Sequence, residues 1–246
     1  WYAVNTRKNK TAMREKDLGI WQSISWREYG DKAKYVGLAL NSLGLNKNDV
    51  VSIASEGIPE WLFTDLGVIC VGGISSGVYT TDSSSQVEYL VNDSKTNFYF
   101  AENEEQLDKI LEVRENCPSL KKIIIYDLEG LHDFSDPQVI SFSELIKLGE
   151  SIDKNNPDLF ESLMAKVSPE DIAILVYTSG TTGPSKGAMI SNKNIVYQIN
   201  TGINIFKPQE NDEQLSFLPL CHILERTVSV MYLSLIHISE PTRPRI

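Results

Sequence analysis

Between Trp26 and Asp127 the apolar positions alternate between two spacings, three to four residues and two. "SWREYGDKAKYVGLALNSLG" sets Tyr29, Ala33, Val36, Leu40 and Leu43 at helical intervals and ends on Gly44, which predicts an amphipathic helix with a glycine stop. "DVVSIAS" predicts a short strand. "IPEWLFTDLGVICVGG" opens on Pro59, whose fixed φ suits a first helical turn, and stacks Leu62, Leu66 and Ile69 on one face. "ISSGVY" is the next strand. In "SSSQVEYLVNDS" a capping box from Ser85 to Glu88 predicts a helix ahead of Val87, Leu90 and Val91. "NFYFAE" follows as a strand. "NEEQLDKILEVRENC" predicts a helix with acids in its first turn and Leu107, Ile110 and Leu111 inward. "KKIIIYD" is a β-branched strand. Strands alternating with helices of this length predict parallel βαβ units, so the fold class is α/β.

From Leu128 to Pro169 the periodicity weakens and the stretch turns acidic, with Pro137, Pro157 and Pro169. Two short helices are expected, near Ser141 to Gly149 and near Pro157 to Ala165. The organisation expected is a first α/β unit over 20–127, a connector over 128–169 and a second unit from 170. That second unit opens on the strand "DIAILVY". A helix at "SNKNIVYQINTGINIF", a strand at "EQLSFLPL" and a helix around "ILERTVSVMY" come later in it.

Composition narrows the picture only a little. A chain of 246 residues with 41% hydrophobic and 23% charged residues can bury a sizeable core. Its formal net charge of -10 argues against a general nucleic-acid surface, which would be basic, but not against a small anionic ligand held by one local positive patch. Cys70, Cys117 and Cys221 form no CxxC pair and suggest reduced structural thiols in a cytosolic protein. The longest uncharged stretch, Leu66 to Thr81, is too short and too rich in Gly and Ser for a bilayer span. Trp21, Trp26 and Trp61 are expected as core or surface anchors, and His132 has no expected function.

Candidate chemistry concentrates in "YTSGTTGPSKGA", Tyr177 to Ala188, just after the apolar run "DIAILV" and ahead of an expected helix. Glycines let backbone N–H groups turn toward an anion, and Ser179, Thr181, Thr182 and Lys186 add donors suited to phosphate oxygens. The alternative is a Gly-rich connector without a ligand. Counted from Gly180, Lys186 occupies the lysine place of a Walker P-loop. Its neighbours, Ser185 and Gly187, are wrong for that motif.

The run instead resembles the phosphate-binding signature of the AMP-forming adenylating enzymes, approximately [YF]TSGTTGxPKG, matching at Tyr177, Thr178, Ser179, Gly180, Thr181, Thr182, Gly183, Lys186 and Gly187. It departs in placing Pro184 one position early, with Ser185 where Pro is usual and Asn192 in place of a frequent His. The stretch from Ala12 to Tyr79 is similar to the N-terminal region of long-chain acyl-CoA synthetases, including the bubblegum type. "SFLPLCHILERT" is similar to their "LPLSHxxER" segment. The likeness covers residues 10–232.

That resemblance implies part of the large N-terminal domain of an adenylate-forming enzyme. It implies a long-chain fatty acid–CoA ligase, an acid–thiol ligase with ATP, Mg²⁺ and coenzyme A as cofactor or co-substrate. Thr178, Ser179, Gly180, Thr181, Thr182, Gly183, Pro184, Ser185 and Lys186 would cradle the β- and γ-phosphates, with Thr181 also a Mg²⁺ ligand and Lys186 the catalytic cation on the leaving pyrophosphate. His222 would line the adenylate and acyl pocket, against the plainer reading of a hydrogen-bonded histidine at a helix start. The partners implied are small molecules, with a cytoplasmic location and peripheral membrane association. The family's later adenine, ribose and C-terminal lysine motifs have no counterpart in this chain, so the expectation is an N-terminal fragment without activity alone. "SLIHISEPTRPRI" loses apolar periodicity, and 234–246 is expected to be a tail of artefactual origin. A ligase for an aryl or medium-chain acid and a non-catalytic nucleotide-binding module remain as alternatives.

Overall fold

A computed structural model describes residues 1–178, 184–209, 212–235 and, as backbone, 239–241. In chain order the elements are α1 (Tyr2–Arg7), β1 (Thr11–Asp17), β2 (Ile20–Ser25), α2 (Trp26–Ser42), β3 (Val50–Ala54), α3 (Pro59–Cys70), β4 (Ile74–Val78), α4 (Ser84–Ser94), β5 (Thr96–Ala101), α5 (Glu104–Val113) and β6 (Lys122–Ile125). They continue with β7 (Val139–Ser141), α6 (Phe142–Asn155), α7 (Leu159–Met164), β8 (Ile172–Thr178), β9 (Lys186–Ser191), α8 (Asn192–Phe206), β10 (Gln214–Ser216), α9 (Ile223–Leu235) and β11 (Ser239–Pro241).

The strand-period runs become the centre of a seven-stranded sheet, β7-β6-β5-β3-β4-β8-β9, parallel except for the β8–β9 pair. Every residue of β3 and β4 is buried, as continuous apolar or small runs require when helices cover both faces. Alternation assigns the faces. Ile124, Phe98 and Phe100 join the core beneath α2, α3 and α6, whereas Ile123, Ile125 and Tyr99 join the one beneath α4 and α5. The expected α/β class therefore holds, in three layers. β8 pairs with β4, so strands from before and after the 128–169 stretch share one sheet. That stretch also supplies β7 at the sheet's edge, a strand too short to show a period, and its two helices form as expected.

Two expectations need correction. The helix α4 begins at Ser84 with Ser83 as its cap. Ser83 accepts from the Gln86 backbone N–H, and the Gln86 side chain returns to the Ser83 N–H, so the box lies two residues before Ser85 and Glu88. Three consecutive serines offered three caps, and Gln serves at the third position as well as Glu. Replacement of Ser83 by Ala should cost about 1 kcal/mol in urea unfolding and of Ser85 by Ala close to none; equal costs would return the cap to Ser85. Second, the chain does not pass from the glycine-rich loop to a helix. It first forms β9, antiparallel to β8, with Tyr177 opposite Gly187 and Thr178 opposite Lys186. The first 25 residues, for which the sequence named no element, hold β1 and β2, a hairpin through Leu18 and Gly19, both at positive φ, within a small sheet ordered β10-β11-β1-β2.

Candidate nucleotide site

Beyond the carboxyl ends of β4 and β8, where open α/β sheets hold their ligands, lies a cavity of about 630 Å³. Its walls come from three segments far apart in sequence. The end of β4 and the start of α4 supply Gly77, Tyr79, Asp82, Ser85, Gln86 and Tyr89. The hairpin supplies Tyr177, Thr178, Pro184 and Ser185, and the start of α9 supplies His222 and Ile223.

Of the residues singled out in the glycine-rich run, Thr178, Pro184 and Ser185 therefore line the cavity. Ser179, Gly180, Thr181, Thr182 and Gly183 lie outside the described residues. Lys186, the first residue of β9, stands exposed opposite Thr178 and is not part of the wall. Its ammonium meets no carboxylate among the described residues, so it is a free cation at the hairpin's base. Because β9 intervenes before α8, an anion held against the hairpin would draw on hairpin amides and side chains, not on the N-terminus of α8.

His222 lies just ahead of α9. Its Nδ1 accepts the Leu224 backbone N–H at 3.3 Å while the ring faces the cavity, so it starts the helix and lines the wall at once. The neighbouring Cys221 is buried, and burial pushes its thiol up to about 12, which leaves it protonated and inert at neutral pH. The segment reaches this position because Gly77 has no side chain: a Cβ there would lie 2.6 Å from the Cys221 Cα.

Sequence reasoning missed the β4–α4 side of the cavity. Burial holds the Asp82 carboxyl above its ordinary range, partly opposed by Lys109. The Lys109 ammonium also donates to the Thr80 carbonyl at 2.6 Å, and the Thr80 hydroxyl donates to Glu56 at 2.6 Å, which ties down the strand-to-helix turn. A strand ending in "VYTTDSSSQ" offered a signal, since polar loops at carboxyl ends of parallel strands are ligand positions. Among the described residues no group of three His, Cys, Asp or Glu could hold a metal, and no helix is long and apolar enough to cross a membrane.

The AMP-binding enzyme family matches over residues 1–237. The chain is 32% identical over 225 residues to the long-chain-fatty-acid–CoA ligase ACSBG1 of Rattus norvegicus, covering 90% of this chain and 30% of that protein. It is 30% identical over 215 residues to the long-chain-fatty-acid–CoA ligase FadD15 of Mycobacterium bovis, covering 86% and 34%. The chain thus spans 30 to 34% of the length of these relatives. The crystal structure of the anthranilate–CoA ligase AuaEII in complex with anthranoyl-AMP superposes with a TM-score of 0.82 at 24% identity, covering 100% of this chain and 44% of that one. The N-terminal domain of FACL13 from Mycobacterium tuberculosis gives 0.75 at 17% identity, covering 98% and 56%. At such identities the structures speak for the fold, and the match over nearly the whole chain speaks for descent: this chain belongs to the AMP-binding enzyme family.

Proposed function

We propose that the chain carries the phosphate-gripping part of the ATP site in an AMP-forming ligase that activates a long-chain fatty acid and transfers it to coenzyme A. The observation that carries this reading is the convergence of the hairpin stem, the α4 start and His222 on one cavity at the carboxyl ends of β4 and β8. The long-chain substrate class rests on relatives of that name at about 32% identity.

In the proposed reaction a fatty carboxylate oxygen attacks the α-phosphorus of ATP, the bond to the bridging oxygen breaks, and pyrophosphate leaves with both electrons. The thiol of coenzyme A then attacks the acyl carbonyl, and AMP departs as the acyl–oxygen bond breaks. This chain's share is positioning and charge. Lys186 neutralises the pyrophosphate oxygens, Thr178 and the 179–185 segment hold them by hydroxyl and amide donors, and His222 borders the adenylate. Apart from His222, the cavity's polar groups are oxygen and amide groups, which suits a hard cation that travels with phosphates. Thr181 is its proposed protein ligand, and Mg²⁺ would supply neutralisation of phosphate charge. The acyl acceptor side implies small-molecule partners, and fatty substrates imply a cytoplasmic protein that meets membranes at their surface.

Equilibrium binding tests the phosphate grip. Lys186→Ala should weaken ATP and pyrophosphate binding by about tenfold, the worth of one charge-assisted contact, and leave AMP binding unchanged. Equal losses for ATP and AMP, or none for pyrophosphate, would remove Lys186 from the role.

A further inference from the structure

The stems of the hairpin that carries the phosphate run are lightly packed on one side. Its second strand, β9, is the sheet's edge and pairs only with β8. Lys186, Ala188 and Met189 are exposed, so packing does not fix the β9 side, although Tyr177 on β8 packs against the core. Two hydroxyl bonds, one donated by the hairpin and one by the helix, tie it to α4. The Tyr177 hydroxyl donates to Asp93 Oδ2 at 2.7 Å, and the Tyr89 hydroxyl donates to the Ser185 carbonyl at 2.8 Å. Tyr177 precedes the run and Ser185 closes it. Tyr89 and Asp93 stand four residues apart on α4, one turn along the same face. The Tyr177 ring also lies across the opposite strand: a Cβ on Gly187 would come within 3.1 Å of Tyr177 Cζ. One helix face therefore holds both stems of one hairpin.

We infer that α4 is a clamp on the phosphate hairpin, with Tyr89 and Asp93 as positioning residues that hold its two stems against the cavity. Neither needs to touch the nucleotide's reacting atoms. The clamp keeps Thr178 and the 184–186 end of the run in place before ATP arrives, which saves ordering cost on binding. As a role in phosphate binding it rests on the proposed function, but the clamp itself is a property of this chain and can be read without ligand.

The test uses the chain as it stands, with Tyr89→Phe, Asp93→Ala and their double variant, and Asp93→Asn as the conservative control. Amide hydrogen exchange at Thr178, Lys186, Gly187 and Ala188 should quicken about fivefold in each single variant and further in the double, with the amides of α4 itself unchanged. Asp93→Asn, whose amide oxygen still accepts, should stay near the unaltered rate. ATP binding should weaken about fivefold in the double variant. Unchanged exchange in the double variant overturns the clamp. Faster exchange with undiminished ATP binding overturns its role in holding phosphate. If the unaltered chain fails to bind ATP, the phosphate reading falls, and the exchange rates alone decide whether the clamp exists.

Discussion

Gly77→Ala should destabilise the chain by about 3 kcal/mol, at the upper end for an overpacked site, and should release the segment that carries His222. The reason is backbone against backbone. An added Cβ at Gly77 would sit 2.6 Å from both Cα and Cβ of Cys221, distances that no rotamer change can relieve. Because β4 lies between β3 and β8 in the sheet, the strand cannot yield, and the Leu220–Cys221–His222 turn must lift. Lifting has its own signature. Cys221 is 5% exposed, so an intact turn shields its thiol from a disulfide reagent, and the Ala variant should label much faster under native conditions. Two measurements decide the matter: the urea midpoint and the native labelling rate at Cys221. A variant with an unshifted midpoint and a still-protected thiol would show that the turn does not depend on Gly77.

How much of this was legible beforehand follows from where burial falls. β3, β4, β5 and β6 are covered on both faces, so they had to be runs of apolar or small residues, and their period or β-branched character announced them. The helices α2 and α5 present one face to a core and gave the 3.6-residue pattern for the same reason, whereas α3 has no exposed residue. Elements with little burial left no such mark. In β2 the first four residues are exposed, and in β9 "KGAMIS" three of six are, so neither imposes an alternation on its side chains. In sequence the hairpin therefore reads as a loop before a helix. At the other end, α8 leaves Val196, Tyr197, Ile205 and Phe206 exposed, so its apolar content shows helical character without showing which face is inward.

The candidate site divides along a similar line. The glycine and hydroxyl run could be recognised because its chemistry is local, packed into adjacent positions. The groups that build the cavity around it are not local. Tyr89 meets Ser185 across 96 positions and Asp93 meets Tyr177 across 84, and neither spacing carries any periodic signal. His222 was legible only through the likeness of "LPLCHILER". Its dual role, helix start and cavity wall, depends on Gly77 being close by in space, which needs the sheet order to be known.

The same distance hides a group with an equally large expected effect, the ion pair beneath His222. Asp65 on α3 and Arg226 on α9 are 4% and 1% exposed, and Arg226 Nε donates to Asp65 Oδ2 at 3.2 Å while Nη2 donates to Oδ1. The guanidinium also lies 5.0 Å over the Trp61 ring. Two charges so enclosed hold each other; removing one leaves the other buried and uncompensated, which costs about 3–5 kcal/mol. An apolar cavity of about 350 Å³ borders both groups and gives a stranded charge some room to relax, so the lower end of that range is expected. Asp65→Asn, which keeps shape and removes charge, should therefore lower unfolding free energy by about 3 kcal/mol. Arg226→Lys should recover little of the native stability, since an ammonium can neither fork onto both carboxylate oxygens nor stack on Trp61 in the same way. The double variant Asp65→Leu with Arg226→Met separates structure from charge. If burial of an unpaired charge is the cause, the double should lose less than either single change, because no charge is left stranded. Losses that simply add in the double would assign the cost to packing of α9 on α3 and not to the pair. Because the Arg226 backbone N–H bonds to the His222 carbonyl at 3.2 Å, the pair also sets the first turn of α9. Asp65→Asn should thus disturb the His222 side of the cavity while the hairpin and its α4 contacts stay in place.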